Sequence, residues 1–199
     1  DVVYSMHGDV APAADLARLA DTYDKLWLYI DDAHGVGWAG KHGRGVVLER
    51  IDLHPKMILA ASLVKSIGAG GGALVFPNQE LADRVQIAAG PMTFSGPLQP
   101  PALAAGIAAA DVMLSDELVR IRADLEAQID LVLETGRRLG LPFAAWDRTP
   151  IWFLRIGRTD EMLDVATPMD ATADAAAFEL DASILAPSGA GGAPAMSAL

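Results

Sequence analysis

The sequence predicts an α/β fold with a mainly parallel sheet and flanking helices. Three short apolar runs, at residues 26–30, 57–61 and 73–76, have the length and the composition of buried strands. Residues 1–5 are typical of the end of a further strand, and a helical pattern separates them from the run at 26–30. A strand, a helix and a second strand in this order form a βαβ unit, whose two strands are parallel.

The helix of this unit is predicted from its cap and its apolar face. Asp9 is suited to cap the helix, and Pro12 is tolerated in the first turn because that turn has no use for the missing N–H. The buried face is formed by four residues at helical spacing, Leu16, Leu19, Ala20 and Tyr23. After the strand at 26–30, the segment 36–45 contains four glycines, too many for regular structure.

Helical patterns dominate the second half of the chain. Residues 79–89 and 102–113 are predicted helices, and the segment 90–101 between them, with four prolines, is predicted to be a loop. A longer helix begins after Ser115, which is suited to cap it, and ends before Gly140.

Composition excludes several classes of protein. Hydrophobic residues make up 52% of the 199 residues, enough for a buried core, and the net charge of −11 argues against a nucleic-acid partner. The chain has no cysteine and therefore no disulfide framework, which fits a cytoplasmic protein. No basic segment precedes an apolar one at the start, and the most apolar stretch, residues 100–114, is too short for a membrane span. Few carboxylates lie near the histidines at ligand spacing, so no metal site is expected.

Functional groups are expected where two of the predicted strands end. Asp31, Asp32 and His34 follow the run at 26–30, and Ser62 and Lys65 follow the run at 57–61. Ligands of α/β sheets bind at the carboxyl ends of the strands, so an acid, a histidine and a lysine should converge on one crevice. Asp31 and Asp32 are adjacent on a strand and should point to opposite faces. Taken alone, Lys65 would more often be a solvated surface residue.

Four segments together resemble the α-oxoamine synthase family of pyridoxal-phosphate enzymes, which has the type I aminotransferase fold. They are residues 4–9, residues 31–37, Gly43-Arg44-Gly45, and the run from Ser62 to Gly72. The match extends over roughly residues 1–157, and its specific parts are Asp-Asp-Ala-His-Gly and Ser-x-x-Lys. A Walker-type phosphate loop is excluded, because the Gly-Lys-Ser/Thr ending is missing.

The resemblance implies roles for three catalytic residues. Lys65 would form the Schiff base with pyridoxal 5'-phosphate and, once released, would act as the general base at the substrate Cα. Asp31, three residues before His34, would face the pyridine nitrogen and keep it protonated, so that the ring can take up an electron pair. His34 would hydrogen-bond the phenolic oxygen of the cofactor.

Three serines are further cofactor-binding candidates by the same resemblance. Ser62 would contact the cofactor phosphate, and Ser5 would lie near the ring oxygen. Ser95 would reach the phosphate of the neighbouring subunit in a homodimer, although the segment around it has one extra residue and fewer hydroxyls than the family pattern.

The activity implied is a decarboxylative condensation of a small amino acid with an acyl-CoA or acyl-carrier thioester. An aminotransferase or a lyase of the same fold is the alternative, although these usually have tyrosine in place of His34. A non-catalytic truncated paralogue is the other alternative. Retention of Asp31 and Lys65 argues against it, and an anomalous tail argues for it.

The resemblance also divides the chain. Residues 1–140 would be the C-terminal part of the large cofactor domain. Residues 141–165 would start a small α+β C-terminal domain, whose first strand is predicted at 150–156. Residues 166–199, rich in alanine, glycine and proline, are expected to be a low-complexity, disordered tail. The chain does not begin with methionine and is expected to be a fragment.

Overall fold

A computed structural model describes residues 1–155 and residue 157 of the chain. In this part of the chain, helices and strands follow one another in the order α1 (Ala13–Thr22), β1 (Leu28–Asp31), α2 (Val46–Arg50), β2 (Met57–Ser62), β3 (Gly72–Val75), α3 (Gln79–Ala88), α4 (Gly90–Phe94), α5 (Pro100–Met113) and α6 (Glu117–Leu139). A short 3-10 helix, Lys41–Gly43, lies between β1 and α2.

The three strands form one mixed sheet in the order β1-β2-β3. β1 and β2 are parallel, with Leu28 opposite Met57 and Asp31 opposite Ala60. β3 is antiparallel to β2, with Ser62 opposite Gly72, so the expectation of a mainly parallel sheet holds for one of the two strand pairs. A parallel return would need a crossover of about a dozen residues or more, and the loop between β2 and β3 is too short for one.

One face of the sheet packs on the core. Leu28 and Ile30 of β1 and Met57 and Leu59 of β2 are buried on this face. They belong to a cluster with residues of α1, α2 and the N-terminal segment, including Ala20, Val46, Val47, Val2 and Val3. The alternate residues of β1 and β2 face the other way and are exposed or half-buried. The strands therefore present Asp31 and Ser62 on the face opposite the core.

Several predicted boundaries are wrong by small amounts. The cap predicted at Asp9 is not formed, because α1 begins after Pro12 and the Asp9 backbone is engaged in a turn in which its carbonyl accepts from Tyr4 N at 3.0 Å. The loop predicted at residues 90–101 contains α4, and α5 begins two residues early at Pro100. Proline is well tolerated at the first position of a helix.

Two predicted strands are reduced to single bridges in the described residues. Residues 1–5 were expected to end a strand, and here Val3 forms a single bridge with Val10. In the strand predicted at 150–156, Leu154 forms a single bridge with Phe143. In both places the partner is a nearby stretch of the chain rather than a strand of the sheet.

The end of α6 coincides with the predicted boundary between domains. Gly140 ends this helix in the left-handed conformation, with φ of 66°. The division into a large domain up to residue 140 and a small domain after it stays a prediction. The predicted tail at 166–199 and most of the last ten residues of the predicted small domain lie outside the described residues.

A buried hydroxyl joins the N-terminal turn to the segment after α6. Thr149 is 1% exposed, and its Oγ1 donates to the carbonyl oxygen of Gly8 at 2.7 Å. Thr149→Val is expected to lower the free energy of unfolding by about 1–3 kcal/mol, because it leaves a buried carbonyl without its donor. Urea unfolding measures this. Thr22→Val is the control, since that exposed hydroxyl bonds only its own helix; equal losses in the two variants would contradict the assignment.

Among the residues that the structure describes, no helix is both long and apolar enough to cross a membrane.

Candidate active site

Two parallel strands deliver polar side chains to one edge of the sheet. Asp31 is the last residue of β1 and Ser62 the last of β2, and because the strands run in the same direction, both residues lie at the carboxyl edge. The register places them on the same face, since Asp31 pairs with Ala60 and Ser62 is two residues further. The convergence expected from the sequence is present in the structure.

Lys65 and His34 meet above this edge. His34 lies in the turn that follows β1, and Lys65 lies in the loop that follows β2. The Lys65 Nζ is 2.6 Å from the His34 Nε2. When Lys65 is an ammonium it can only donate, and His34 Nε2 then accepts, with the ring proton on Nδ1. Sequence reasoning put both residues in one crevice, and the structure adds their direct contact.

The electrostatic surroundings keep His34 neutral. Its pKa is lowered from the usual 6.5, first by partial burial of the ring and then by the positive charge of Lys65, while Asp31 opposes the shift. A neutral imidazole can accept a hydrogen bond from the lysine, whereas an imidazolium would repel a charged lysine.

The contribution of Lys65 to this shift can be measured. In Lys65→Met the pKa of His34 is expected to rise, because the neighbouring positive charge is gone, yet to stay below 6.5, because burial is the larger cause. NMR titration of the His34 ring measures the pKa directly. Lys25→Met removes a lysine in an exposed turn and should leave the pKa unchanged; an unchanged pKa in Lys65→Met would contradict the contact.

Asp31 and Asp32 serve opposite faces of the strand, as the sequence predicts. Asp31 is half-buried on the site face, and its Oδ1 accepts from Ala33 N at 2.8 Å, which fixes the start of the turn to His34. Asp32 is 1% exposed on the core side, where its Oδ2 accepts from Val47 N at 3.0 Å. Burial raises the pKa of the Asp32 carboxyl to about 6, although the N–H groups of Val47 and Val46 oppose the shift.

Two supporting residues were missed by the sequence analysis. Trp38 Nε1 donates to the His34 carbonyl at 2.6 Å, and the Ser66 hydroxyl donates to the carbonyl of Val36. These bonds hold the turn after β1 at both ends and tie it to the lysine loop. Ser66 adjoins Lys65 in sequence, which was the available signal, whereas nothing in the local sequence marks Trp38.

The candidate serines are placed unequally. Ser62 lies on the site face, two residues beyond the partner of Asp31. Ser5 is exposed in the N-terminal turn, and Ser95 lies at the end of α4, where its hydroxyl donates to the carbonyl of Pro91. Neither makes a hydrogen bond with Asp31, His34 or Lys65 in the part of the chain that the structure describes. Their roles stay predictions.

No group of three or more potential metal ligands occurs among residues 1–155 and 157. The polar groups at this edge include the amine of Lys65, the imidazole of His34 and the carboxylate of Asp31.

The fold is that of the type I pyridoxal-phosphate-dependent transferases, and the predicted fold class is confirmed. A serine palmitoyltransferase from S. paucimobilis superposes with a TM-score of 0.70 at 23% identity, over 80% of this chain and 40% of that one. An 8-amino-7-oxononanoate synthase from Francisella tularensis superposes with a TM-score of 0.69 at 25% identity, over 84% of this chain and 48% of that one.

The chain belongs to the aminotransferase class I and II family, whose model matches residues 1–167. The 8-amino-7-oxononanoate synthase of Azoarcus sp. strain BH72 is 37% identical over 172 residues, which are 83% of this chain and 41% of that protein. The resemblance stated from the motifs is thereby confirmed. The chain spans about two fifths of the length of the curated relatives that it matches.

Proposed function

We propose that this chain is part of a pyridoxal-phosphate-dependent C-acyltransferase, which condenses a small amino acid with an acyl-CoA or acyl-carrier thioester and releases carbon dioxide. The observation that carries the proposal is the 2.6 Å contact between Lys65 Nζ and His34 Nε2 at the carboxyl edge of two parallel strands. The family membership and the names of the relatives support it.

The residues present fit pyridoxal phosphate by their chemistry and their placement. Lys65 is exposed, so its amine is accessible to the cofactor aldehyde. Reaction of the two groups would hold the cofactor covalently. Asp31 faces the same side of the sheet with a carboxylate suited to a protonated ring nitrogen, and His34 carries an imidazole suited to the ring oxygen. When bound, the cofactor supplies an acceptor for the electron pair left at the substrate Cα.

The protein residues would then handle protons and orientation. Lys65 Nζ, when free, would take the proton from the substrate Cα, and its contact with His34 holds it at the site edge. Neutral His34 would accept a hydrogen bond from Lys65 without adding a charge that would repel it. Ser62, on the same face as Asp31, would contact the cofactor phosphate.

The histidine favours this chemistry over an aminotransferase or lyase, in which a tyrosine is expected at that position. We further propose a homodimer, in which Ser95 would reach the partner's cofactor phosphate. Large apolar side chains exposed on the two helices that flank Ser95, at Phe94 of α4 and at Leu103 and Ile107 of α5, support an interface on these helices.

The test uses the full 199-residue chain with pyridoxal phosphate, borohydride reduction and peptide mapping. The chain has four lysines, and Lys25 and Lys41 are exposed references for unspecific labelling. Lys56 is a third reference, because its Nζ already donates to the Tyr23 carbonyl at 3.1 Å. Preferential labelling of Lys65 is expected; equal labelling of all exposed lysines would contradict the proposal and favour a non-catalytic chain.

A further inference from the structure

Asp32 is a buried carboxylate that the proposed chemistry does not use. It is 1% exposed and points away from the face that carries Asp31. Its Oδ2 accepts from Val47 N at 3.0 Å, whereas its Oδ1 has no hydrogen-bond partner within the described residues. A carboxylate in such a place costs stability when it is charged, so its presence calls for a role.

The backbone closes around this carboxylate from two sides. A Cβ atom added at Gly35 would lie 2.0 Å from Asp32 Oδ1, and one added at Gly45 would lie 2.3 Å from Oδ2. A side chain at position 35 or 45 would collide with the carboxylate, so glycine at both positions leaves room for it. Gly45 is the N-cap residue of α2 and has no side chain to accept a hydrogen bond from the first turn of the helix. Asp32, just after β1, provides that acceptor for Val47 N.

The segment fixed in this way is the one that carries His34. Gly35 N and Val36 N both donate to the Asp32 carbonyl, at 3.0 and 2.9 Å. The next residues reach the lysine loop, because the Val36 carbonyl accepts from the Ser66 hydroxyl and His34 contacts Lys65. Asp32 thus stands on the far side of the strand from the site and is joined to it through one short turn.

We propose that Asp32 is a positioning residue, whose carboxylate ties the end of β1 to the first turn of α2 and thereby sets the His34 turn against Lys65. It acts through His34 and does not touch the cofactor. The inference rests on the proposed function for its link to Lys65, but the tie between Asp32, α2 and the turn stands on the contacts alone.

The first experiment compares Lys65 labelling in Asp32→Ala, Asp32→Asn and the unchanged chain. Pyridoxal phosphate and borohydride are used, and the yield at Lys65 is divided by the yield at exposed Lys25. Asp32→Ala is expected to lower this ratio about five-fold or more, because that factor corresponds to the free energy of one lost buried hydrogen bond. Asp32→Asn keeps an acceptor for Val47 N and should restore the ratio. Asp24→Ala, at an exposed turn, should not change it.

Either of two labelling results with the Asp32 variants would overturn the proposal. One is a folded Asp32→Ala chain with the unchanged ratio, and the other is an Asp32→Asn chain that loses as much as Asp32→Ala. If Asp32→Ala does not fold, Gly35→Ala replaces it, because its Cβ displaces the carboxylate from the other side. A lower ratio in Gly35→Ala supports the proposal, and an unchanged ratio overturns it.

Amide hydrogen exchange separates this proposal from the proposed function. If Lys65 of the unchanged chain is not labelled above Lys25, the proposed function fails, and exchange still decides the role of Asp32. Faster exchange of Val46, Val47 and residues 33–37 in Asp32→Ala, reversed in Asp32→Asn, supports the tie. Exchange unchanged in Asp32→Ala rejects it.

Discussion

Lys65→Ala is expected to abolish the phosphopyridoxyl adduct at the carboxyl edge of the sheet, and the remaining lysines should be labelled only as weakly as in the chain without the substitution. Lys65 differs from the other lysines in its surroundings, since its Nζ meets a neutral imidazole on the face that carries Asp31. A bound cofactor gains contacts there that a solvated lysine cannot offer. We expect labelling of Lys65 to exceed that of Lys25 by about ten-fold or more, which corresponds to about 1.4 kcal/mol.

Quantitative peptide mapping after borohydride reduction measures this effect. Lys65→Arg keeps the positive charge beside His34 but has no amine for the cofactor, so it should behave like Lys65→Ala. Lys25→Ala is the matched control and should leave the Lys65 adduct intact. Label that moves to Lys41 or Lys56 in Lys65→Ala, at the yield first seen on Lys65, would refute a specific site.

Asp32→Asn is expected to stabilise the chain at pH 8 and to flatten its stability between pH 4 and 7. Burial raises the pKa of this carboxyl from 3.8 to about 6 in the folded state. The folded chain therefore binds the proton more tightly than the unfolded chain, and stability falls as the pH rises from about 4 through 6. A pKa shift of this size corresponds to a loss of about 2–3 kcal/mol in the free energy of unfolding when the carboxyl ionises. Asparagine does not ionise, so the Asp32→Asn variant avoids this loss.

Unfolding by urea at several pH values gives the comparison. The difference between Asp32→Asn and the unchanged chain should be small near pH 4 and largest above pH 7. Asp24→Asn removes an exposed carboxylate of the same charge and should show no such trend. A pH-independent difference would mean that Asp32 does not titrate in this range when folded.

The placement of Asp31, His34 and Lys65 was easier to predict than the direction of β3. The alternation of β1 was sufficient to separate Asp31 from Asp32, and the position of Lys65 after a strand was sufficient to place it in the same crevice as His34. Both inferences depend on local geometry and on one rule about parallel strands. The antiparallel direction of β3 could have been foreseen from the shortness of the lysine loop, which does not permit a crossover.

Other features could not be predicted, because they depend on contacts between distant residues. The burial of Asp32 is set by Gly35 and Gly45, whose backbones pack on its two oxygens. The Trp38 bond to the His34 carbonyl depends on the turn that brings them together. Asp9 has the residue type of a cap, but the pairing of Val3 with Val10 places its backbone elsewhere. Residue type is a weak guide where tertiary contacts compete with local ones.

The pairing of β1 with β2 also determines when the candidate site forms during folding. His34 and Lys65 are 31 residues apart in sequence, and they meet across a single parallel strand pair. Closing a loop of that length costs about 3 kcal/mol of chain entropy beyond a constant, and the hydrophobic face of the same two strands offsets it. The site should therefore form in the same folding step as the core, so during refolding specific labelling of Lys65 should return together with the burial of Met57.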